Sequence, residues 1–351
     1  MNERVFSSDN TAGVSPAILA AMVEQSSGRA APYGDDPVTA RVAERLRELF
    51  ECDLDVLIVS TGSAANGLAL AAFTPPWGAV LCHTDSHVNN DEAGAPEFFT
   101  NGAKLVPLPG TDAKLAPAAL SAAVVRGQGV VHSVQPAVVS ITQATETGSV
   151  YSLDELSELG SIAHDAGLAV HMDGARFTNA LVALNVSPAD MTWRAGVDIL
   201  SFGATKNGTM NAEAIIVFDR SKTEGLRFRQ KRAGQLASKM RFQSVQLDAY
   251  LADDLWLDNA RHANAMAEHL AHGLARIPGV EVLGTPRANM LFAILPEPVF
   301  DSLLTSGFSF YHDESEPGRA RFVTAFNTTE ADVDDLLEAT RASSRVSGIL
   351  S

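Results

Sequence analysis

The sequence predicts an α/β fold: a mostly parallel sheet covered by helices on both faces, followed by a smaller C-terminal α+β domain. Short apolar runs of strand length alternate with segments of helical periodicity through the first two thirds of the chain. These runs are apolar throughout, as expected for strands that are buried on both faces. From about residue 221 the alternation gives way to a helix-rich stretch that reaches residue 277, and then to shorter strands.

Several helices of the first part have recognisable start signals. In "GDDPVTARVAERLRELFECD", Asp36 can cap the helix and Pro37 fits its first turn. Ser152 and Glu155 have the spacing of a capping box at the start of "SLDELSELGSIAHDAG". Helices are also predicted in "GLALAAF", "LAPAALSAAVV" and "RFTNALVAL".

The strands are predicted from their apolar composition. In the first part they are "DVLIVS", "GAVLCH", "AKLVPL", "AVVSIT", "LAVHMD", "VDILSF" and "EAIIVF", and in the second part "VEVLG", "NMLFAIL" and "RARFVTAF". We expect an N-terminal arm over residues 1–14, a large domain over 15–245 and a small domain over 246–351.

Composition narrows the function classes. The 351 residues are 46% apolar, enough for a large core, and the net charge of −16 disfavours nucleic acid as a partner. The two cysteines, Cys52 and Cys82, have no metal-binding spacing, and we expect no metal. There is no signal-peptide block and no apolar run of about 20 residues, so we expect a cytoplasmic protein without a membrane partner.

A small polar turn follows the first predicted strand, in "VLIVSTGSAANGLAL". Backbone N–H groups at the start of the next helix, with the hydroxyl of Ser63, can cradle a phosphate. The turn lacks the glycine pattern of dinucleotide sites and the GK[ST] of P-loops. Taken alone, it fits an ordinary capped helix equally well.

Two charged residues follow later strands. Asp173 ends the strand of "LAVHMDGARFTNAL", where a carboxylate needs a partner to stay charged; a cap for the next helix is the alternative. Lys206, in "DILSFGATKNG", follows an apolar run without an acid beside it in sequence. A desolvated lysine amine can attack a carbonyl, whereas a structural lysine would extend its amine to solvent. Ligands of parallel sheets bind beyond the carboxyl ends of the strands, where these groups are expected.

The three features together are the set that pyridoxal 5'-phosphate requires. A carboxylate keeps the ring nitrogen protonated, a lysine holds the aldehyde as a Schiff base, and a helix start holds the phosphate. We therefore expect this cofactor.

Seven segments resemble the L-threonine aldolase family. They are "SSDNTAGVSP", "YGDDPVT", "STGSAANGLAL", "SHVNNDEAGAPE", "HMDGARFTNAL", "GATKNG" and "RFVTAF". The likeness runs from residue 6 to about residue 340, and "YGDDP" and "HMDGAR" are its more specific blocks. The resemblance implies a low-specificity lyase of β-hydroxy-amino acids on the type I fold of aspartate aminotransferase, close to the bacterial branch that includes phenylserine aldolases.

The resemblance implies a role for each cofactor-site residue. Lys206 is the Schiff-base lysine and Asp173 the partner of the pyridinium nitrogen, while Gly62 and Ser63 lie at the phosphate. His87 is the histidine that stacks on the ring and lies near the β-hydroxyl. Without the resemblance, His87 is an ordinary loop or helix-start histidine, and Glu92, five residues on, is either its hydrogen-bond partner or a surface acid.

The substrate carboxylate is expected to meet Ser8, Arg176 and Arg321, since arginine binds carboxylates in bidentate fashion. Arg176 follows the turn after Asp173 and is therefore also expected beside the cofactor. Arg321 lies in the second domain, which would place the substrate between the domains, and Arg319 is the nearby surface alternative.

The resemblance also implies a homo-oligomer, a tetramer, in which a basic residue of one subunit reaches the phosphate of another. The segment "RQKRAG" offers Lys231 or Arg232, and the choice stays open. The sequence departs from the family in "SITQATETG", which has Gln143 and Glu146 where many members carry a histidine. The base for the β-hydroxyl and the threo or erythro preference therefore stay open.

The expected reaction is retro-aldol cleavage of L-threonine, L-allo-threonine or another L-3-hydroxy-amino acid, such as phenylserine, to glycine and an aldehyde. A base near His87 would take the hydroxyl proton directly or through water. The alternatives are a β-eliminating lyase, a serine hydroxymethyltransferase or an aminotransferase on the same fold, and a non-catalytic protein that keeps the fold for binding.

Overall fold

The computed structural model describes residues 4–222, 225–284, 286–313 and 315–346. Its larger part is built on a seven-stranded sheet of order β1-β7-β6-β5-β4-β2-β3. Only β7 runs antiparallel to its neighbours, so the predicted mostly parallel sheet is confirmed. The strands are β1 (Asp55–Val59), β2 (Gly78–His83), β3 (Lys104–Leu108), β4 (Gln135–Thr142), β5 (Ala169–Gly174), β6 (Ile199–Phe202) and β7 (Glu213–Val217).

Helices cover both faces of this sheet. Alternate residues of one strand pack into different cores: Leu57 and Val59 face the core that contains Leu68, whereas Ile58 faces the core that contains Leu46. The helices of this part are α1 (Pro16–Glu24), α2 (Pro37–Phe50), α3 (Gly62–Phe73), α4 (His87–Asn90), α5 (Ala95–Phe99), α6 (Pro117–Val124), α7 (Leu153–Asp165), α8 (Phe177–Leu184), α9 (Leu226–Arg232) and α10 (Arg241–Tyr250).

Both predicted helix starts are present. The carboxylate of Asp36 accepts hydrogen bonds from the N–H groups of Val38 and Thr39, each at 3.0 Å. Ser152 and Glu155 form the reciprocal bonds of a capping box at the start of α7. Across the described ranges, no helix combines the length and the apolar character that a bilayer crossing requires.

The smaller part contains an antiparallel sheet of order β10-β11-β9-β8 with its own apolar core. The N-terminal segment belongs to this core, because Phe6 is buried in it and its backbone bonds to Ser309 and Val323 at 2.6 and 2.8 Å. The elements are α11 (Leu255–Leu274), β8 (Glu281–Leu283), β9 (Met290–Ile294), α12 (Glu297–Thr305), β10 (Tyr311–His312), β11 (Arg319–Val323) and α13 (Glu330–Val346).

The division into an arm over 1–14 and domains over 15–245 and 246–351 stays a proposal. Residue 245 lies inside α10, and this helix buries Leu247 and Tyr250 in the core of the larger part. The segment after residue 10 leads from the small sheet back to the large one, so the N-terminus bridges the two parts near the site described next.

Candidate active site

The three features that the sequence places at strand ends lie together beyond the large sheet. A small cavity is lined by the start of α3 and by the ends of β5 and β6. Its walls include Gly62, Asp173, Ser201, Lys206 and Glu213. A helix start, a carboxylate and a lysine that are far apart in sequence therefore share one space.

The approach of Lys206 to Asp173 depends on a glycine. The N–H group of Gly203 donates to the carbonyl of Gly174 at 3.0 Å, so the segment after β6 lies directly on the turn after β5. A Cβ atom at residue 203 would lie 2.5 Å from the carbonyl oxygen of Ala175. Only glycine permits this approach, which places the 3₁₀ turn carrying Lys206 beside the end of β5.

The start of α3 presents unpaired donors. The Thr61 hydroxyl accepts from the N–H of Ala64 at 3.2 Å and caps the helix. In the part of the chain that the structure describes, no hydrogen bond occupies the N–H groups of Gly62 and Ser63. Such groups, together with the positive end of the helix dipole, favour an anion.

Asp173 belongs to a buried hydrogen-bonded chain that ends at His87. One Asp173 oxygen accepts from the N–H of Ala175 and the other from the Asn66 amide, both at 3.0 Å. The same Asn66 nitrogen donates to Glu92 at 2.8 Å, and Glu92 meets Nδ1 of His87 at 2.8 Å. The Glu92 side chain is 0% exposed, so it is the buried partner of His87 and not a surface acid.

The environment favours the protonated form of His87. Its hydrogen bond to Glu92 is the main cause of a raised pKa, and the charges of Asp173 and Glu146 add to the effect against the opposing cost of burial. Protonation of His87 is therefore easier than in a free imidazole, and the charge of the protonated ring would offset that of Glu92.

We expect Glu92→Gln to lower the pKa of His87. A neutral amide at residue 92 can still form a hydrogen bond but cannot stabilise the imidazolium by charge. NMR titration of the imidazole Cε1 proton measures the change, with Glu48→Gln as an exposed control on α2. An unchanged pKa in Glu92→Gln would mean that the carboxylate does not set the protonation of His87.

Arg176 is held by an acid that the sequence did not single out. Its Nε and Nη2 atoms donate to the two oxygens of Asp9 at 2.8 and 3.1 Å, and Asn289 donates to the same carboxylate at 3.0 Å. Burial alone would raise the pKa of Asp9, but the charges of Arg176 and Lys206 outweigh it and the net pKa is lowered. Of the Arg176 donor nitrogens, Nη1 remains outside this pair.

Arg321 reaches the same region from β11. Its burial and the nearby charge of Arg176 lower its pKa. Its guanidinium lies over the ring of Tyr311 at 4.5 Å, and its Nε is buried without a partner among the described residues. The position of Ser8 is different. Its hydroxyl accepts from the N–H of Asn10 at 3.1 Å, and the residue lines a separate small cavity.

Two further expectations involve residues outside the small cavity that Lys206 lines. Gln143 is fully buried, and both ends of its amide bond to the backbone of Tyr151, so it supports the core instead of the site. Lys231 and Arg232 are both exposed on α9, where the Lys231 amine lies 4.6 Å from the ring centroid of Tyr33.

Glu213, at the start of β7, is a site residue that sequence reasoning missed. Its carboxylate accepts from the N–H of Ala204 at 2.6 Å and lines the cavity with Lys206. Burial raises its pKa, and bonds from Thr205 and Ala204 oppose the shift only in part. The signal in the sequence was a glutamate at the head of the otherwise apolar run "EAIIVF".

Comparison with known proteins agrees with this arrangement. A sequence profile described as Beta-eliminating lyase matches residues 6–295. Two relatives named low specificity L-threonine aldolase, from Pseudomonas sp. strain NCIMB 10558 and from Pseudomonas aeruginosa, are each 44% identical to this chain, over 96% of it and over 97% and 96% of their own lengths.

A solved structure agrees as well. The threonine aldolase of Leishmania major superposes with a TM-score of 0.91 at 30% identity, covering 96% of this chain and 98% of that one. The match extends over both sheets and the helices that pack on them, which confirms the expected type I fold. The chain therefore belongs to the threonine aldolase family, within the wider family of β-eliminating lyases.

Proposed function

We propose that this protein cleaves L-threonine, L-allo-threonine and other L-3-hydroxy-amino acids, phenylserine among them, to glycine and an aldehyde. The observation that carries the proposal is the meeting of Lys206, Asp173 and the start of α3 at one edge of the sheet. The names of the two relatives that are 44% identical agree with it. The cofactor is pyridoxal 5'-phosphate, the group on which enzymes of this family depend.

The residues present fit this cofactor. Lys206 supplies the amine for covalent attachment, and the unpaired N–H groups of Gly62 and Ser63 suit the phosphate. Asp173, 2% exposed, is a carboxylate that a protonated ring nitrogen would neutralise. Side-chain atoms of His87, Glu92 and Asp173 lie within 4.8 Å of one another, and the imidazole of His87 would cover the ring. When bound, pyridoxal phosphate supplies a protonated ring that takes up the electron pair released as the Cα–Cβ bond breaks.

The charges beside the cavity suit an amino-acid substrate. Arg176 and Arg321 lie close enough for each to disfavour the charge of the other, yet only Arg176 has a carboxylate partner, Asp9. A substrate carboxylate on Nη1 of Arg176 and on Arg321 would offset this repulsion and pair the buried Nε of Arg321. We place Ser8 at the edge of this carboxylate site, on the segment whose Ser7 carbonyl lies 3.4 Å from Arg321.

We also propose a homo-oligomer, a tetramer, located in the cytoplasm. On α9, Phe228 is 81% exposed between basic residues, and a second subunit could cover such a surface. The neighbouring subunit's Lys231 or Arg232 would then reach the phosphate. Mass measurement in solution, with and without Phe228→Asp, tests the assembly.

A substrate panel tests the function. Purified protein with bound cofactor should release glycine and acetaldehyde from L-threonine and L-allo-threonine, and glycine and benzaldehyde from phenylserine. The ratio of the rates for the two diastereomers gives the threo or erythro preference. Ammonia and a keto acid as products would instead identify a β-eliminating lyase, and formation of serine from glycine and 5,10-methylenetetrahydrofolate would identify a hydroxymethyltransferase.

A further inference from the structure

We propose that Glu146 is the catalytic base that takes the β-hydroxyl proton of the substrate, while His87 orients the hydroxyl oxygen. The inference rests on the proposed aldolase function. It follows from the partners of His87, from the turn that carries Glu146 and from the cavity into which Glu146 opens.

One ring nitrogen of His87 is committed to an acid. Its Nδ1 is held 2.8 Å from Glu92, a buried carboxylate whose second oxygen has no partner among the described residues. This bond, with the charge of Asp173, raises the pKa of His87. Nε2 is left for a hydrogen bond to the substrate oxygen, whereas an uncommitted carboxylate offers two oxygens that can accept the proton.

The turn that carries Glu146 is fastened to the end of the Asp173 strand. The N–H of Gln143, just past β4, donates to the carbonyl of Asp173 at 2.9 Å. The amide side chain of Gln143 is fixed in the core, so the chain leaves β4 in a defined direction. Glu146 follows three residues later, on the turn that begins at this anchor.

The turn itself is held by hydrogen bonds. The N–H of Gly148 donates to the carbonyl of Thr145 at 2.9 Å, which closes a four-residue turn with Glu146 at its second position. Three hydroxyls donate to one carbonyl oxygen, that of Asp112, at 2.7–3.0 Å; they belong to Thr145, Thr147 and Ser149. The carboxylate is thus presented by a preorganised segment.

The Glu146 carboxylate is half-buried and uncommitted. Among residues 4–222, 225–284, 286–313 and 315–346, it has no hydrogen-bond or ion-pair partner, although its charge acts on His87, Arg176 and Arg321. It lines a cavity of about 200 Å³ together with Arg321. Glu146 therefore shares a cavity with Arg321, the arginine of β11 proposed for the substrate carboxylate. Asp85 lines the same cavity but is exposed at its rim.

The protons and electrons of the reaction balance when Glu146 is the base. The hydroxyl proton passes to a carboxylate oxygen of Glu146, and the O–H electron pair becomes the second bond of the aldehyde carbonyl. The Cα–Cβ bond breaks and its electron pair stays on the Cα side. Cα then takes a proton from water to complete glycine, and Glu146 returns its proton to solvent through the open cavity.

The test separates cleavage from a reaction that needs no β-hydroxyl. Glu146→Gln should lower kcat for L-threonine by about 10²-fold, the usual contribution of a general base. The same variant should exchange the Cα proton of glycine in D₂O, followed by NMR, within about threefold of the wild-type rate. Glu158→Gln, which removes a charge from the exposed face of α7, should keep wild-type cleavage. Added formate should restore part of the activity of Glu146→Ala, because the vacated space admits a small carboxylate.

The results that would contradict this proposal lead to different conclusions. Near-wild-type cleavage by Glu146→Gln, in a protein that does cleave threonine, overturns the role of Glu146 and leaves the aldolase function intact. Equal loss of cleavage and of glycine exchange, without formate rescue, also overturns it, because such a loss indicates a structural role. Absence of cleavage by the wild-type holoenzyme overturns the aldolase function itself and this inference with it.

Discussion

Lys206→Ala should abolish aldolase activity, with kcat lowered by about 10³-fold or more, as for other covalent catalytic residues. Lys206 is the amine among the residues that line the cavity at the start of α3, so its loss should remove the proposed covalent link to the cofactor aldehyde. The buried carboxylates Asp173 and Glu213 remain, and non-covalent binding of the cofactor should persist at reduced affinity.

Mass spectrometry after borohydride reduction measures the link directly. Wild-type protein should carry the reduced adduct on the peptide that contains Lys206, and Lys206→Ala should carry none. Lys104→Ala is the matched control, because Lys104 is an exposed lysine on the edge strand β3 and its loss should leave both adduct and activity unchanged. An adduct on another lysine, in either protein, would contradict the proposed role.

The fold was predictable from the sequence because its signals are local. Buried parallel strands are apolar runs, and each was visible in the sequence before its neighbours were known. The helix α1 was missed because alanine and apolar residues cover most of its surface, which leaves no amphipathic period to recognise. The two-residue β10 is too short for any pattern, and the reversed direction of β7 depends on pairing that a single strand does not encode.

The candidate site was predictable only where residues follow strands. Asp173, Lys206 and the start of α3 end or follow recognisable elements, so topology alone brings them together. Their partners are different, because the bond between Arg176 and Asp9 spans 167 residues and the bond between Asn66 and Asp173 spans 107. Partners this far apart in the chain have no characteristic spacing from which their contact could be predicted. Weak signals existed, since Asn66 is the one amide in the apolar helix α3.

The site is organised by charge balance. Asp9, Glu92 and Asp173 are each buried, and a buried carboxylate without a cation is strongly unfavourable. Asp9 is paired with Arg176 and Glu92 with His87, and a fourth buried carboxylate, Glu213, lies within the charge of Lys206. Asp173 has only neutral donors, Asn66 and a backbone N–H. Asp173 is thus the carboxylate that still requires a cation, and a protonated pyridine ring would supply one.

Asp9→Asn should lower the free energy of unfolding by about 3–5 kcal/mol, the usual cost of removing one member of a buried ion pair. Asp9 and Arg176 are 1% and 7% exposed, so solvent cannot replace the lost carboxylate. Asparagine has the same shape but one acceptor oxygen, and the Arg176 charge would remain buried without an anion. Urea unfolding followed by circular dichroism measures the difference.

A surface pair gives the matched comparison. Asp258 and Arg261 are also joined at 2.8 Å, but their side chains are 68% and 56% exposed. Asp258→Asn should therefore change the free energy of unfolding by less than about 1 kcal/mol. If Asp9→Asn and Asp258→Asn lowered the free energy of unfolding equally, water would have to reach the Asp9–Arg176 pair more readily than its burial indicates.

The pH dependence distinguishes loss of this charge from a packing defect. The pKa of Asp9 in the fold lies below its ordinary value near 3.8, so the ionised carboxylate stabilises the fold above that value. This contribution is lost as the pH falls through the lowered pKa. The stability gap between wild type and Asp9→Asn should therefore stay constant above about pH 5 and narrow at lower pH. A gap caused by packing would persist, since it does not depend on the protonation of residue 9.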